Sequence, residues 1–235
     1  MKYLYLWINI ASFVVPFIFS FHPKLKFYKK WKSLFPAIFI MMAFFIPWDV
    51  FFTENGFWGF NDIYISGIKI ANLPIEEWLF FICIPYACLF THYSLLHFFP
   101  KFSFSKKTTS VLYVILITIL LVVLFYNYDK WYTALNFSYA IILLGLVFNY
   151  DRKTLSVFLP TFFVVLFPFY IVNGILTGSW IEQQVVWYDN TQNLGIRVGT
   201  IPIEDSIYAL GMLLTVFVLT EYFESRKATK EDLVL

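Results

Sequence analysis

The chain has 235 residues, 60% of them hydrophobic and only 14% charged, with a mean hydropathy of +0.71. A soluble domain of this length could not cover such a composition with a polar surface, so lipid must form part of its solvent. The net charge of +2 says less than the placement of the charges, and no nucleic-acid partner is expected.

Cys83 and Cys88 lie five apart in one apolar stretch, which suggests neither a disulfide framework nor a thiolate metal site. Glycine patterns of the Rossmann and P-loop kinds are missing, which argues against a flavin, nicotinamide or nucleotide. No cofactor and no metal are expected.

A spanning helix needs about 20 mostly apolar residues. The first stretch, Tyr3–Phe21, has only Lys2 before it and no small-residue cleavage site, so it reads as a retained helix and not a signal peptide. Leu34–Phe52 and Ile75–Phe99 follow, then the shortest stretch, Val111–Asn127, then Trp131–Phe148, Leu155–Thr177 and Ile203–Phe223.

The basic residues alternate between the connections. Lys24, Lys26, Lys29, Lys30 and Lys32 follow the first stretch, Lys101, Lys106 and Lys107 the third, Arg152 and Lys153 the fifth, and Arg226, Lys227 and Lys230 the last. The other loops hold few: Lys69, Lys130 and Arg197. The positive-inside bias then puts the amino end outside and the carboxyl tail inside, in a bacterial cytoplasmic membrane as the expected location.

The two long outer loops repeat one another. Asp49-Val50-Phe51-Phe52-Thr53, Trp58, Gly67-Ile68-Lys69-Ile70 and Pro74-Ile75-Glu76-Glu77 are matched in order by Asn173-Gly174-Ile175-Leu176-Thr177, Trp180, Gly195-Ile196-Arg197-Val198 and Pro202-Ile203-Glu204-Asp205. Three helices make the unit, and a fourth helix between two such units makes them parallel. The expected fold is an all-α membrane protein of seven transmembrane helices, two parallel three-helix repeats joined by a linker helix. Residues 1–105 form the first repeat, 106–129 the linker, 130–225 the second repeat and 226–235 a cytoplasmic tail. A pseudo-twofold along the membrane normal would gather both Pro-Ile-Glu motifs, Asp49 and Asn173 around one cavity.

Taken singly, each motif is equally well an ordinary helix start, with proline at the first position and acids in the first turn. Ionisable groups in spanning segments are nevertheless expensive and usually mark function. Glu76, Glu77, Glu204, Asp205 and Asp49 gather at one side with hardly any local cations, and five carboxyl groups near lipid cannot all ionise. A neutral carboxyl can act as general acid, and an ionised neighbour can stabilise positive charge or receive a proton.

Among 30 Phe, 16 Tyr and 8 Trp, most belong to lipid-facing bulk or interfacial belts. Trp48, Trp58, Trp78, Trp180 and Trp187 cluster in or beside the motif-bearing loops, as a belt or as a π-lined pocket for a polyene and its carbocation. His92 and His97 diverge around their helix and make no metal pair. Asn136-Phe137-Ser138 fits a glycosylation pattern but lies inside a helix, so it carries no meaning as one.

The twin motifs, the upstream Asp49 and Asn173 and the Trp-rich outer loops resemble the integral-membrane lycopene cyclases, whose two halves occur as separate or fused polypeptides. The resemblance runs from about Phe45 to Phe223, and this chain is similar to a fusion of the two halves. It implies cofactor-independent cyclisation of the ends of lycopene to β-ionone rings, giving β-carotene. It also implies lycopene or a related polyene and the lipid bilayer as partners, with a homo-oligomer left open. Glu76 and Glu204 match the leading motif glutamates, Glu77 and Asp205 the second acids, and Asp49 and Asn173 the paired polar positions. The implied catalytic set is Glu76, Glu204, Glu77, Asp205 and Asp49, with Asn173, Trp48, Trp58, Trp78 and Trp180 against the substrate. Glu76 or Glu204 would donate the proton, and a carboxylate among Glu77, Asp205 and Asp49 would stabilise the second cation or take the ring proton.

A related cyclase of another carotenoid or terpenoid stays open. A small proton-coupled transporter would spread its polar residues through the depth of several helices, unlike these acids. A retinal protein would need a lysine in Ile203–Phe223, and none is there. A diphosphate-using prenyltransferase would rest on Asp189-Asn190 alone, a thin magnesium motif.

Overall fold

The computed structural model describes residues 2–232, with side chains as far as Lys227. The side chain of Lys230 and the end of the expected tail lie outside the described residues. Among the described residues seven helices follow one another: α1 (Leu4–Phe19), α2 (Trp31–Glu54), α3 (Ile75–Phe98), α4 (Lys106–Tyr126), α5 (Trp131–Tyr150), α6 (Arg152–Leu176) and α7 (Ile203–Asp232). The chain is a membrane protein: α2 to α7 are each long and apolar enough to cross a bilayer. The first helix has 16 residues, which at 1.5 Å each is about 24 Å and short of the ~30 Å hydrocarbon core.

The linker helix begins five residues before the apolar stretch does, because Ser105 caps it by accepting the Thr108 amide at 3.1 Å. It buries only Thr109 and Leu120 and packs against α5 and α6. The remaining helices form two like triplets, with α1 packed on α3 and α5 on α7, and α2 lying along α7 between them. One apolar core runs through both halves.

The two outer loops meet. Strand β1 (Trp58–Phe60) pairs antiparallel with β4 (Val186–Tyr188), in the register Trp58↔Tyr188, Gly59↔Trp187, Phe60↔Val186. The motifs lie 128 positions apart (Glu76 to Glu204), and at that spacing Gly59 pairs with its own repeat equivalent, Trp187, so the counterpart of Trp58 is Val186 and not the Trp180 that the order of the loops suggested. The pseudo-twofold therefore passes between Gly59 and Trp187, and both loops lie at one end of the bundle.

A Cβ at Gly59 would overlap the Trp187 indole. Gly59→Ala should therefore destabilise the protein by about 1–3 kcal/mol, the cost of overpacking, read as a lowered melting temperature in detergent. An unchanged melting temperature would show that the two loops are not held at this crossing.

Each loop then closes on its helix through a two-residue hairpin. Strands β2 (Lys69–Ile70) and β3 (Leu73–Pro74) pair as β5 (Arg197–Val198) and β6 (Ile201–Pro202) do. Both prolines thus end a strand. Pro74 sits at the cap with φ −63° and ψ 148°, one position before the helical one expected for it. Its missing N–H costs nothing there, and the ladder resumes at the next residue, with Ile75 N–H bonding Ile68 O at 2.9 Å and Ile203 N–H bonding Ile196 O at 3.0 Å.

Candidate active site

The paired acids open helices α3 and α7 directly after the hairpins, so the first turn of each helix holds two carboxyl groups pointing in different directions, about 100° apart around the axis. The leading acids turn toward their own loops. Glu76 Oε1 accepts the Ser66 amide at 2.7 Å, and Glu204 Oε1 accepts the Leu194 amide at 2.6 Å. Glu204 also takes the Thr133 hydroxyl at 2.8 Å. In both residues Oε2 is buried and has no hydrogen-bond partner among the described residues, an orphan that a proton or an ordered water would satisfy.

The second acids turn inward. Glu77 accepts the Tyr5 hydroxyl at 2.6 Å, and Asp205 accepts the Tyr132 hydroxyl at 2.6 Å. One helical turn beyond each tyrosine, Asn9 and Asn136 donate to the main-chain carbonyls of Glu76 and Glu204, both at 2.7 Å. The rings repeat the symmetry as well: Tyr5 stacks on Phe60 and Tyr132 on Tyr188, with interplanar angles of 20° and 18°.

Two departures from symmetry distinguish the halves. Asn173 donates to Asp205 at 2.7 Å, and Tyr188 adds a third donor at 3.0 Å. At the equivalent place in the first half, Asp49 could only repel Glu77. It is served instead from across the twofold, by the Tyr208 hydroxyl at 2.8 Å. Burial first, and then the negative Asp205 beside it, hold the Tyr188 hydroxyl well above its ordinary range, so it remains a donor.

Glu77 and Asp205 face one small chamber of about 60 Å³ near the twofold. Its walls are mostly aromatic and include Tyr5, Trp58, Phe60, Phe80, Tyr132 and Tyr188. Asn173 and Tyr208 complete its polar lining. Among the described residues the ion pairs are Lys30–Glu224 and Lys69–Asp62, so no cation neutralises the chamber acids. None of the described residues gathers into a cluster that would hold a metal ion.

Of the tryptophans singled out, Trp58 lies in the chamber wall. Trp48 packs beside it on Phe45 and Tyr208. Trp78 gives its indole N–H to Ile70 O at 3.2 Å and so braces the first hairpin. Trp180 is 78% exposed. The Asp189 carboxylate is occupied within its own turn by the Thr191 amide and hydroxyl, at 2.9 and 2.8 Å. The amide holds it below the usual carboxylate range.

The sequence reading missed Tyr5, Tyr132, Tyr188, Tyr208 and both asparagines. A signal for four of them existed: Tyr5 with Asn9 and Tyr132 with Asn136 repeat the same four-residue spacing in the first helix of each half, and an asparagine in an apolar helix is itself costly.

Comparison with known proteins agrees with this doubled site. The family model described as lycopene cyclase matches residues 2–96 and again residues 129–223. The chain belongs to the lycopene cyclase family. Neither a curated protein nor a solved structure matches it. The two matched segments cover the first triplet as far as residue 96 and the second as far as residue 223, and each includes its tyrosine, its asparagine and its pair of motif acids. The family implies a polyene substrate, which agrees with the aromatic walls, and the apolar helices imply a lipid environment.

Proposed function

We propose that this protein is a lycopene β-cyclase that closes the ends of the polyene by acid catalysis, without a redox partner. The observation that supports this most is the chamber itself, where two acids face each other within aromatic walls at the twofold of a lycopene cyclase fold.

In the proposed sequence Glu77 delivers a proton to the terminal double bond of the polyene. The tertiary cation is attacked by the internal double bond, closing a six-membered ring, and loss of a ring proton restores neutrality. One proton is added and one removed, so the reaction is an isomerisation. Glu77 suits the donor role because Tyr5 occupies Oε2 alone, leaving Oε1 to carry the proton. Asp205 accepts from Tyr132, Asn173 and Tyr188 on both oxygens, the pattern of an ionised carboxylate, which only accepts. It is placed to stabilise the cation and take the ring proton. The ring faces of Trp58, Tyr132 and Tyr188 suit a passing positive charge.

Glu76 and Glu204, the leading acids, are assigned to holding the loops that carry these walls. The orientation we favour, from the lysine and arginine bias, has the loop end outside the cytoplasmic membrane of a bacterium. Expression in a lycopene-accumulating bacterial host tests the function directly. Conversion of the pigment to mono- or bicyclic products with β rings is expected, and unchanged lycopene in the presence of folded protein would overturn it.

A further inference from the structure

The chamber is too small to seat the end of a polyene as it stands, since about 60 Å³ holds only a few water molecules. Two of its wall residues, Phe80 and Phe169, also line a second and larger cavity of about 450 Å³. This is a groove between α1, α3 and α6, bounded by Ile8, Ala11 and Pro16 on one side and Ile171 and Ile175 on the other. On α3 it runs from Phe80 to Thr91, eleven residues or about 16 Å at 1.5 Å each. Ala11, Pro168 and Ile171 at its rim lie on the bundle surface, where lipid would be.

Among the described residues no charged side chain lines the groove. Its two hydroxyls are turned back on their own helices, Ser12 to Ile8 O and Thr91 to Ala87 O, both at 2.9 Å. A ligand there needs no polar group, and an anionic one such as a diphosphate would find no cation.

The repeat makes this groove informative. Its counterpart lies between α5, α7 and α2, and the paired positions can be read from the matched residues: Ser12 corresponds to Tyr139, Val172 to Trp48, Phe169 to Phe45, Phe80 to Tyr208 and Ala87 to Thr215. That second groove is filled. Phe45 meets Tyr139 and Tyr208 edge-on, with ring centroids 5.3 and 5.1 Å apart. Trp48 stands 6.3 and 5.3 Å from the same two rings. The Tyr139 hydroxyl is tied to Thr215 at 2.6 Å. Small residues on one side of the twofold and large aromatics on the other leave one open groove and one plugged one.

We propose that the linear polyene reaches the acids through the α1/α3/α6 groove alone, lying along it with its end passed between Phe80 and Phe169 into the chamber. This rests on the cyclase reading and adds to it a direction of approach and a single substrate seat. One seat takes one end at a time, so a bicyclic product requires the monocyclic molecule to leave, turn and rebind.

The test is a graded series in the groove floor, Ala87→Val, Ala87→Leu and Ala87→Phe, with Ala11→Phe from the opposite wall. Val122→Phe on the exposed face of α4 serves as control. Initial cyclisation rates are measured on purified protein with lycopene in detergent, normalised to the folded fraction from size exclusion. The rate should fall stepwise with side-chain size, at least tenfold for Ala87→Phe, while Val122→Phe keeps the parent rate. Monocyclic product should precede bicyclic product and be chased out by excess lycopene. If the parent protein cyclises lycopene and the Ala87 series does so at the parent rate, the groove is not the route and the cyclase reading stands. If the parent itself leaves lycopene unchanged, the cyclase reading fails first.

Discussion

Glu77→Gln and Asp205→Asn should each lower the rate of lycopene cyclisation by about 10²–10⁴-fold, the usual worth of a positioned proton donor or acceptor, with the folded fraction preserved. Glu77→Gln keeps the shape of the side chain and an oxygen able to accept from Tyr5, and Asp205→Asn keeps an oxygen for Asn173 and Tyr188 while its amide donates to the Tyr132 hydroxyl oxygen in place of accepting from it, so the shape of the chamber is retained and the acid chemistry is removed. Glu76→Gln and Glu204→Gln should stay within about tenfold of the parent, because neither glutamate lines the chamber and each amide oxygen can still take the loop amide. Rates measured on all four variants at equal folded protein decide the assignment. If the leading pair collapses while the inner pair survives, the proton comes from Glu76 or Glu204 and the chamber acids serve only to orient the substrate.

That contrast marks where sequence reasoning stops. The helices were legible because a bilayer imposes a length on an apolar run, and Ile75–Phe99 in the sequence differs from the observed α3 by a single residue. The common side of the two motifs was legible from the repeat, and the β1–β4 pairing bears it out. Which acid of each pair faces inward was not legible. Neighbouring residues point about 100° apart on a helix, and the direction is set by a hairpin of two-residue strands that leaves almost no trace in the sequence. The first hairpin turns through Ala71 and Asn72, both at positive φ (49° and 60°), and alanine gives no warning of such a turn.

The tyrosines were hidden for a different reason. Tyr5, Tyr132, Tyr188 and Tyr208 are four among 16, and in a chain so rich in aromatics composition cannot separate a hydrogen-bond donor from packing bulk. The difference between Asp49 and Asn173 was visible but not interpretable. Its reason lies in the third dimension: the asparagine donates to Asp205, and the aspartate accepts from Tyr208 of the other half.

Glu204→Ala should be the most destabilising change at the loop end. It strands the Leu194 amide and the Thr133 hydroxyl, both bonded to Glu204 Oε1, and each buried donor left without an acceptor costs about 1–3 kcal/mol, so about 2–6 kcal/mol is expected. Glu76→Ala strands only the Ser66 amide and should cost about 1–3 kcal/mol. The order between the two halves is therefore predicted along with the sizes. The glutamine variants should lie close to the parent, because an amide oxygen replaces the carboxylate as acceptor. Equilibrium unfolding in mixed micelles measures all four. Loss of Glu204 should also reach the chamber, because the loop it anchors carries Val186 and Tyr188, and through the strand pairing also holds Trp58 in place. Activity should then fall further than the folded fraction does. Equal losses for the two alanine variants would show that Thr133 contributes nothing to the second half. A glutamine at position 204 as damaging as alanine would mean that the carboxyl proton, and not its acceptor oxygen, is what this position supplies, and the leading glutamate would return to the chemistry.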